Sequence, residues 1–195
     1  MAKLTLPCDV ETIRALKVGD FLELEGRIVT GRDSAHHWLL EHHQADVAPL
    51  LAGSVIYHCG PVVKRHEDGH YSFVAAGPTT SAREEPYQAD VIGRYGLRGV
   101  IGKGGMGAKT LKGLQEHGAV YLHAVGGTAQ VLAQAVVEVE QVFMLKEFGV
   151  PEALWVIRVS GFPVVVTMDS HGGSLHAEVE KASRQKLEQM LGLAS

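Results

Sequence analysis

The chain has 195 residues, of which 46% are hydrophobic and 21% charged, with a formal net charge of −4. This is an ordinary globular composition, and a slightly acidic chain is poorly suited to neutralise nucleic-acid phosphates. No apolar run is long enough to span a bilayer, and the N-terminal residues lack the pattern of a secretory signal. Two cysteines, Cys8 and Cys59, are too few for a disulfide framework. We therefore expect a cytoplasmic protein with no nucleic-acid or membrane partner.

Hydrophobic periodicity and turn residues predict the elements in chain order. The first half should contain a helix over 9–17, strands over 21–25 and 26–30, a helix over 35–43, a connection over 46–53, a strand over 54–59 and a hairpin of 62–65 with 71–76. The second half should contain a helix over 85–95, a strand over 98–101, a helix over 108–117, a strand over 119–123, a helix over 129–136, a strand over 137–143, a turn over 148–152, a strand pair over 154–159 and 162–168, and a helix over 175–191. Interleaved helices and strands without repeats or linkers predict one mixed-sheet α/β domain over 1–195.

Residues 77–83 read Gly-Pro-Thr-Thr-Ser-Ala-Arg and directly follow a predicted strand. Glycine and proline end that strand, and the hydroxyls of Thr79 and Thr80 can cap backbone N–H groups where we expect a helix to begin. Arg83 lies four residues after Thr79 and would share its helix face. Hydroxyls and a guanidinium at a helix N-terminus suit a small anion, especially a carboxylate. A capped helix with a solvated arginine is the plainer alternative.

A glycine-rich loop over 102–107, Gly-Lys-Gly-Gly-Met-Gly, lies between a predicted strand and a predicted helix. Its spacing matches G-x-G-x-x-G, but a dinucleotide fold also needs an acidic residue about 20 positions later, at the next strand end. The strand over 119–123 is followed by Ala-Val-Gly-Gly, without an acid. We therefore predict an anion-binding backbone nest, allowed by Gly102 and Gly104, with Lys103 as a compact positive charge.

Four histidines lie in the helix predicted over 35–43: His36, His37, His42 and His43. No two of them are four residues apart, which is the usual helical spacing of zinc ligands. We therefore predict no metal site in this chain. Asp33 or Ser34 should cap the helix, and His36 should be a buried partner of Asp33, one turn from Arg32.

Asp169, Ser170 and His171 are consecutive, but a hydrolase triad is defined by geometry in space and not by adjacency. No G-x-S-x-G nucleophile elbow is present. These residues are therefore predicted to form a polar turn at a strand end.

Taken together, the glycine-containing motifs resemble a known family. In chain order they are Gly31-Arg32-Asp33, Tyr57-His58-Cys59-Gly60-Pro61, Gly77-Pro78-Thr79-Thr80-Ser81 with Arg83, Ile101-Gly102-Lys103-Gly104-Gly105-Met106, and Leu154-Trp155 through Met168-Asp169-Ser170-His171-Gly172. Over nearly the whole chain, this order resembles the β subunit, or equivalently the C-terminal domain, of class I fumarate hydratase and L(+)-tartrate dehydratase.

The resemblance implies an iron–sulfur hydro-lyase that reversibly dehydrates a small hydroxy-dicarboxylate, converting malate to fumarate or L-tartrate to oxaloacetate. It implies a [4Fe-4S] cluster held by three cysteines of an α subunit, with one open iron acting as a Lewis acid. It also implies a swivelling β/β/α domain, with a mixed sheet and flanking helices, that closes over the cluster. Two-fold assemblies are common, so we expect an α2β2 enzyme.

The resemblance also assigns roles to particular residues. Arg32, Arg83 and Lys103 match the family's carboxylate-holding positions, and Thr79 matches the threonine proposed as the base. A threonine hydroxyl is a very weak acid, so that role needs cationic support; Thr79 is first of all a positioned hydrogen-bonding group, with Thr80 beside it. Gly102 and Gly104 support the site, and Asp33 and His36 are expected to orient Arg32.

Two positions depart from the family's pattern. His37-Trp38 stands where basic residues are frequent, and Glu84 stands where methionine is expected. Both adjoin anion-holding positions, so the choice of diacid stays open. The alternative function is a stand-alone carboxylate- or dinucleotide-binding module without catalysis.

Overall fold

The computed structural model describes residues 2–41 and 44–192, which form a mixed β-sheet with flanking helices. The strands are β1 (Ala2–Leu6), β2 (Phe21–Thr30), β3 (Val55–Tyr57), β4 (Val62–Arg65), β5 (Tyr71–Ala75), β6 (Gly99–Gly102), β7 (Val120–His123), β8 (Val136–Phe143) and β9 (Leu154–Met168). The α-helices are α1 (Val10–Arg14), α2 (Asp33–Glu41), α3 (Ala48–Leu51), α4 (Gln88–Tyr95), α5 (Ala108–His117), α6 (Ala129–Gln134), α7 (Leu145–Phe148) and α8 (Leu175–Met190). None of the helices in these ranges is long and apolar enough to cross a membrane.

The main sheet has the strand order β1-β2-β3-β6-β7-β9-β8, and β4 and β5 form a separate hairpin. Strands β2, β3, β6 and β7 run parallel to one another. The long strand β9 is antiparallel to β2, β7 and β8. Because β9 pairs with both β2 and β7, the five strands β2, β3, β6, β7 and β9 close into a ring. The sheet is therefore partly barrel-like. The predicted α/β fold with a mixed sheet and flanking helices is confirmed.

The parallel strands β3, β6 and β7 bury both of their faces, which explains their nearly continuous apolar sequences. Val55 and Tyr57 of β3 belong to a core that includes Trp155. Ile56, between them, belongs to a second core that includes Leu39 of α2 and residues of α4 and α5. Alternate residues of β3 thus pack into the core inside the ring on one face and against the helices on the other.

The carboxyl ends of the four parallel strands lie at one edge of the sheet. The segments that follow them begin at Gly31, His58, Lys103 and Ala124. In α/β folds this edge is the usual place for ligands. The β4–β5 hairpin returns the chain to the same edge, where residues 77–83 lie.

Two strand predictions are corrected by the pairing. Strand β2 is continuous over Phe21–Thr30, with a register shift between Leu24 and Gly26 in place of the predicted break. The predicted strand pair around Gly161 is wrong, because both halves of β9 pair with β2. Gly161 has φ +66 and is crossed without a reversal of direction.

Helix predictions fail in three places. Residues 77–83 do not begin an α-helix: they contain only a 3-10 turn at Ser81–Arg83, and α4 begins at Gln88. The predicted connection over 46–53 contains α3, and α7 precedes the predicted turn at 148–152. The helix predicted over 175–191 is observed as α8; none of its residues is buried, and Val179 and Leu187 are more than half exposed.

Candidate anion-binding site

Backbone hydrogen bonds hold residues 77–83 between two strand-end loops. The N–H of Thr79 donates to the carbonyl of His58 over 2.7 Å, next to an antiparallel bridge between Cys59 and Pro78. The N–H of Ser81 donates to the carbonyl of Lys103 over 3.1 Å. The segment that carries the threonines is therefore fixed between the loops that follow β3 and β6.

Two cations at this edge lack an internal counter-charge. Within the described ranges, neither Arg83 nor Lys103 makes a side-chain hydrogen bond or ion pair. Arg83 is exposed and Lys103 is half-buried, while Thr79 is half-buried and Thr80 exposed. Cations left unpaired beside hydroxyl groups are available to an anion from outside the chain.

Arg32 is positioned by a residue that the sequence did not reveal. Its Nη1 lies 3.2 Å from Glu152 Oε1, and each side chain is 22% exposed. Glu152 Oε2 also accepts the backbone N–H of Ser34 over 3.1 Å, which fixes it to the start of α2. A methyl group on Gly60 would lie 2.7 Å from Arg32 Nη1, so this glycine lets the guanidinium approach the loop after β3.

His36 was expected to pair with Asp33 and to orient Arg32, and it reaches only the backbone of Arg32. Its Nδ1 lies 2.9 Å from the Arg32 carbonyl, and its Nε2 lies 2.9 Å from the side-chain amide of Gln88. That amide is also 2.7 Å from Nε2 of His58. The expected pairing is therefore corrected: the buried partner of His36 is Gln88. Asp33, whose Oδ1 is buried, lies instead beside the buried carboxyl of Glu84.

The chain of polar contacts continues to the glycine-rich loop. His58 Nδ1 lies 2.8 Å from Ser81 Oγ, which lies 2.8 Å from the hydroxyl of Tyr121. Burial lowers the pKa of both His36 and His58, so both rings are neutral. A neutral ring has one N–H, which His36 must use for the Arg32 carbonyl. Both histidine rings have a partner at each nitrogen when the amide nitrogen of Gln88 faces them, since amide oxygen and nitrogen positions are assigned from such networks.

The loop over 102–107 uses its glycines for close approach and for left-handed backbone. Gly104 and Gly105 have φ values of +83 and +75, which side chains rarely adopt. A methyl group on Gly102 would overlap Ser81 Oγ and lie 2.9 Å from the Tyr121 hydroxyl. Gly102 is therefore what allows residues 77–83 to lie against β6.

The N-terminus of α5 is already occupied by an anion of the chain itself. Glu85 Oε2 accepts the N–H of Gly107 over 2.8 Å and the hydroxyl of Thr110 over 2.7 Å. Its Oε1 accepts the N–H of Thr110 over 3.1 Å. A dinucleotide pyrophosphate would need these same donors, so the contacts of Glu85 argue against a dinucleotide at this helix.

Asp169, Ser170 and His171 form a turn, as predicted, with the Asp169 carboxylate at its centre. That carboxylate accepts backbone N–H groups of Val18, His171 and Gly173. Burial raises the pKa of Asp169, but these donors outweigh it and leave the pKa below its usual value. The His171 ring lies 2.8 Å from the carbonyl of Arg14 and not against Ser170, so the contacts are those of a structural turn.

The described residues do not fit an iron–sulfur cluster. In the ranges 2–41 and 44–192, no group of three histidine, cysteine, aspartate or glutamate side chains could hold a metal ion. Burial raises the pKa of Cys8 to about 11 and that of Cys59 to about 12, which disfavours the thiolates that metals bind. His37 faces Glu41 in α2, and His42 and His43 lie outside the described residues.

The ring-shaped mixed sheet and the cation-bearing loops define an α/β domain whose polar loops gather at one sheet edge. Comparison with known proteins gives the family: the model of the fumarase C-terminus matches residues 2–179, and the chain belongs to that family.

Three relatives show how the chain compares in length. A Geobacillus stearothermophilus protein with the name of a class I fumarate hydratase is 54% identical over 186 residues, which are 95% of this chain and 35% of that protein. A Methanocaldococcus jannaschii protein named as an L(+)-tartrate dehydratase β subunit is 42% identical over 93% of this chain and 94% of its own length. The L(+)-tartrate dehydratase β subunit of Escherichia coli K12 is 40% identical over 91% and 88%. The chain thus spans about a third of the first relative and nearly all of the other two.

Proposed function

We propose that the chain is the β part of a hydro-lyase that reversibly dehydrates a small hydroxy-dicarboxylate, either malate to fumarate or L-tartrate to oxaloacetate. The observation that carries this proposal is the pair of uncompensated cations, Arg83 and Lys103, on loops bonded together at the carboxyl edge of the parallel strands. The names of the relatives support the reaction class. In this proposal residues 1–195 act as one domain of a cytoplasmic enzyme.

The cations divide the task of holding a diacid. Arg83 offers a planar, two-pronged donor set to one carboxylate, and Lys103 offers a point charge. Arg32 is the third cation, and its bond to Glu152 holds it in place at the cost of part of its charge. The site has three positive groups, and Glu152 balances the charge of Arg32. Two positive charges therefore remain for the substrate, so a dianion fits the site better than a monoanion does.

Thr79 is the candidate base at the reacting carbon. Its backbone N–H donates to the His58 carbonyl, which fixes Thr79 in the segment that also carries Arg83 and that is bonded to the Lys103 backbone through Ser81. A threonine hydroxyl gives up its proton only if neighbouring cations stabilise the alkoxide. Thr80 is exposed beside it and is a second hydroxyl for the substrate.

The cluster belongs to the partner in this proposal. A cysteine-bearing α subunit would hold a [4Fe-4S] cluster, which when bound supplies a Lewis acid for the leaving hydroxyl. The residues of this chain bind and orient the diacid and hold the proton at Thr79. We propose an α2β2 assembly.

The alternative is a stand-alone carboxylate-binding module with the same cations and no catalysis. Its dinucleotide form is disfavoured, because Glu85 occupies the N-terminus of α5. The two functions differ in whether a partner is needed for turnover and whether the isolated chain binds diacids tightly.

The experiment that tests the proposed function is the replacement Arg83→Ala in the assembled enzyme. Losing a charge-assisted contact should cost about 2–4 kcal/mol of transition-state binding, or roughly 30- to 1000-fold in kcat/KM. The matched control is Arg184→Ala, which removes an exposed arginine of α8 and should leave kcat/KM unchanged. An unchanged kcat/KM in Arg83→Ala would show that the site is assigned wrongly.

A further inference from the structure

Carboxyl oxygens of Glu84 and Asp33 are buried beneath the site and have no hydrogen-bond partner among the described residues. Glu84 follows the turn that carries Arg83, its side chain is fully buried, and neither of its oxygens has a hydrogen-bond partner in the part of the chain that the structure describes. Oδ1 of Asp33, the first residue of α2, is also buried and unpartnered. Buried unsatisfied carboxylate oxygens are costly and rare, so this arrangement needs a chemical explanation.

Asp33 is close enough to Glu84 to act on it both as a charge and as a hydrogen-bond partner. The other neighbours of Glu84 are already engaged. The Arg32 guanidinium bonds to Glu152. His58 Nδ1 is 3.9 Å from Glu84 Oε2 but only 2.8 Å from Ser81 Oγ. The hydroxyl of Tyr121 also bonds to Ser81. None of these groups neutralises Glu84, and two ionised carboxylates cannot bond to each other, since neither has a donor.

We propose that Asp33 and Glu84 share one proton at neutral pH, with the Glu84 carboxyl donating to Asp33 Oδ1. This carboxyl–carboxylate bridge ties the start of α2 to the turn at Ser81–Arg83. Because Arg32 precedes Asp33 and Arg83 precedes Glu84, the bridge fixes the separation of the two backbone segments that carry these arginines. The proton bridge does not depend on the proposed function, whereas its effect on substrate binding rests on that function.

The electrostatic surroundings agree with this bridge. Burial first, and then the adjacent Asp33, raise the pKa of Glu84 to about 8, while Arg32 opposes the shift. Glu84 is therefore protonated at pH 7 and loses its proton above pH 8. Two negative charges then face each other in a closed space, and the bridge between α2 and the turn breaks.

The direct test is carbon-13 NMR of the glutamate side-chain carboxyls in the full chain between pH 4 and 10. One resonance should titrate near pH 8 in the wild type, disappear in Glu84→Gln and persist in the control Glu188→Gln. The glutamine variant keeps a donor for Asp33 and the same volume, so it should fold. Asp33→Asn should lower the titration midpoint, because it removes the neighbouring negative charge. If every glutamate titrates below pH 6, or if added divalent cations abolish the high-pH titration at micromolar concentration, the shared proton is refuted.

The consequence for the site is tested by the KM of the assembled enzyme as a function of pH. The wild-type KM should rise several-fold as the pH passes 8, with a smaller change in kcat, and the KM of Glu84→Gln should not follow this rise. An identical pH dependence in both enzymes would refute the positioning role. If no diacid is turned over, the proposed function fails, whereas the NMR titration still decides whether the proton is shared.

Discussion

Gly102 is the position at which one added methyl group should disturb the candidate site most directly. Its Cα faces Ser81, and a Cβ there would overlap Ser81 Oγ and crowd the Tyr121 hydroxyl at 2.9 Å. Ser81 Oγ is also the partner of His58 over 2.8 Å. Gly102→Ala should therefore push Ser81 out of the buried network and move residues 77–83 away from β6.

The magnitude follows from the contacts that are lost. Inserting a methyl group into a packed interior costs about 1–3 kcal/mol, and each broken buried hydrogen bond adds about 1 kcal/mol. Gly102→Ala should destabilise the chain by about 2–4 kcal/mol, a large part of a typical domain stability of about 5–15 kcal/mol. The matched control is Gly126→Ala, whose methyl group would meet only Lys103 Cδ at an ordinary 3.5 Å and should change stability by less than about 0.5 kcal/mol.

The assay is urea unfolding of the full chain in a double-mutant cycle. Ser81→Ala removes the overlapped oxygen, although Ser81 Cβ remains 3.2 Å from the new methyl group. The double variant should therefore be at least about 1 kcal/mol more stable than the sum of the two single changes predicts. Additive free energies, or a Gly102→Ala variant as stable as Gly126→Ala, would refute the proposed packing.

Three further predictions follow from the polar contacts. Glu152→Gln should lower stability by about 1–2 kcal/mol and raise the KM of the assembled enzyme more than it changes kcat, because Arg32 loses its fixed position; equal effects on KM and kcat would contradict this. Glu85→Gln should lower stability by about 1 kcal/mol, since the N-terminus of α5 loses its anion, and equilibrium dialysis should still show no dinucleotide binding. In the Glu84→Gln variant, stability should fall as the pH drops below the ordinary histidine pKa of 6.5. The reason is that His36 and His58 can take up protons in the unfolded chain but not in the buried network of the folded one. A stability that does not change from pH 7 to 5 would contradict neutral buried histidines.

Elements bounded by glycine were among those that could be predicted closely from the sequence. The helix predicted over 108–117 is observed at Ala108–His117, because Gly107 precedes it and Gly118, in the left-handed conformation, ends it. The hairpin of β4 and β5 was also found, since its polar turn interrupts two apolar runs. Local sequence signals are enough to predict the ends of an element where a turn residue in the chain ends it.

Glycine was misleading at Gly161, where the sequence suggested a hairpin. Whether a glycine turns the chain depends on what the flanking residues pair with, and both halves of β9 pair with β2 across the sheet. The periodicity of α8 was misleading in another way. Its apolar spacing predicted a helix correctly, but a helical pattern alone does not show that a neighbouring element covers its apolar face.

The site was only partly accessible to sequence reasoning. The threonines, Arg83 and Lys103 could be picked out because they follow predicted strands in glycine-containing motifs. Their roles, and that of Arg32, were assigned by the resemblance to a known family. Glu152, Glu85 and Gln88 were missed, since each acts on a residue far away in sequence and no local motif marks a distant hydrogen-bond partner. The roles of Thr79, Arg32, Arg83 and Lys103 remain predictions.

The central claim is the proposal that this chain is the β part of a hydro-lyase, and turnover tests it most directly. The full chain would be produced together with the proposed cysteine-bearing α subunit, and the proposed cluster would be reconstituted without oxygen. Absorbance would then be followed for fumarate formed from malate and for oxaloacetate formed from L-tartrate. We expect turnover of one diacid by the complex and none by either chain alone. A stable complex with an intact cluster that converts neither diacid would contradict the claim.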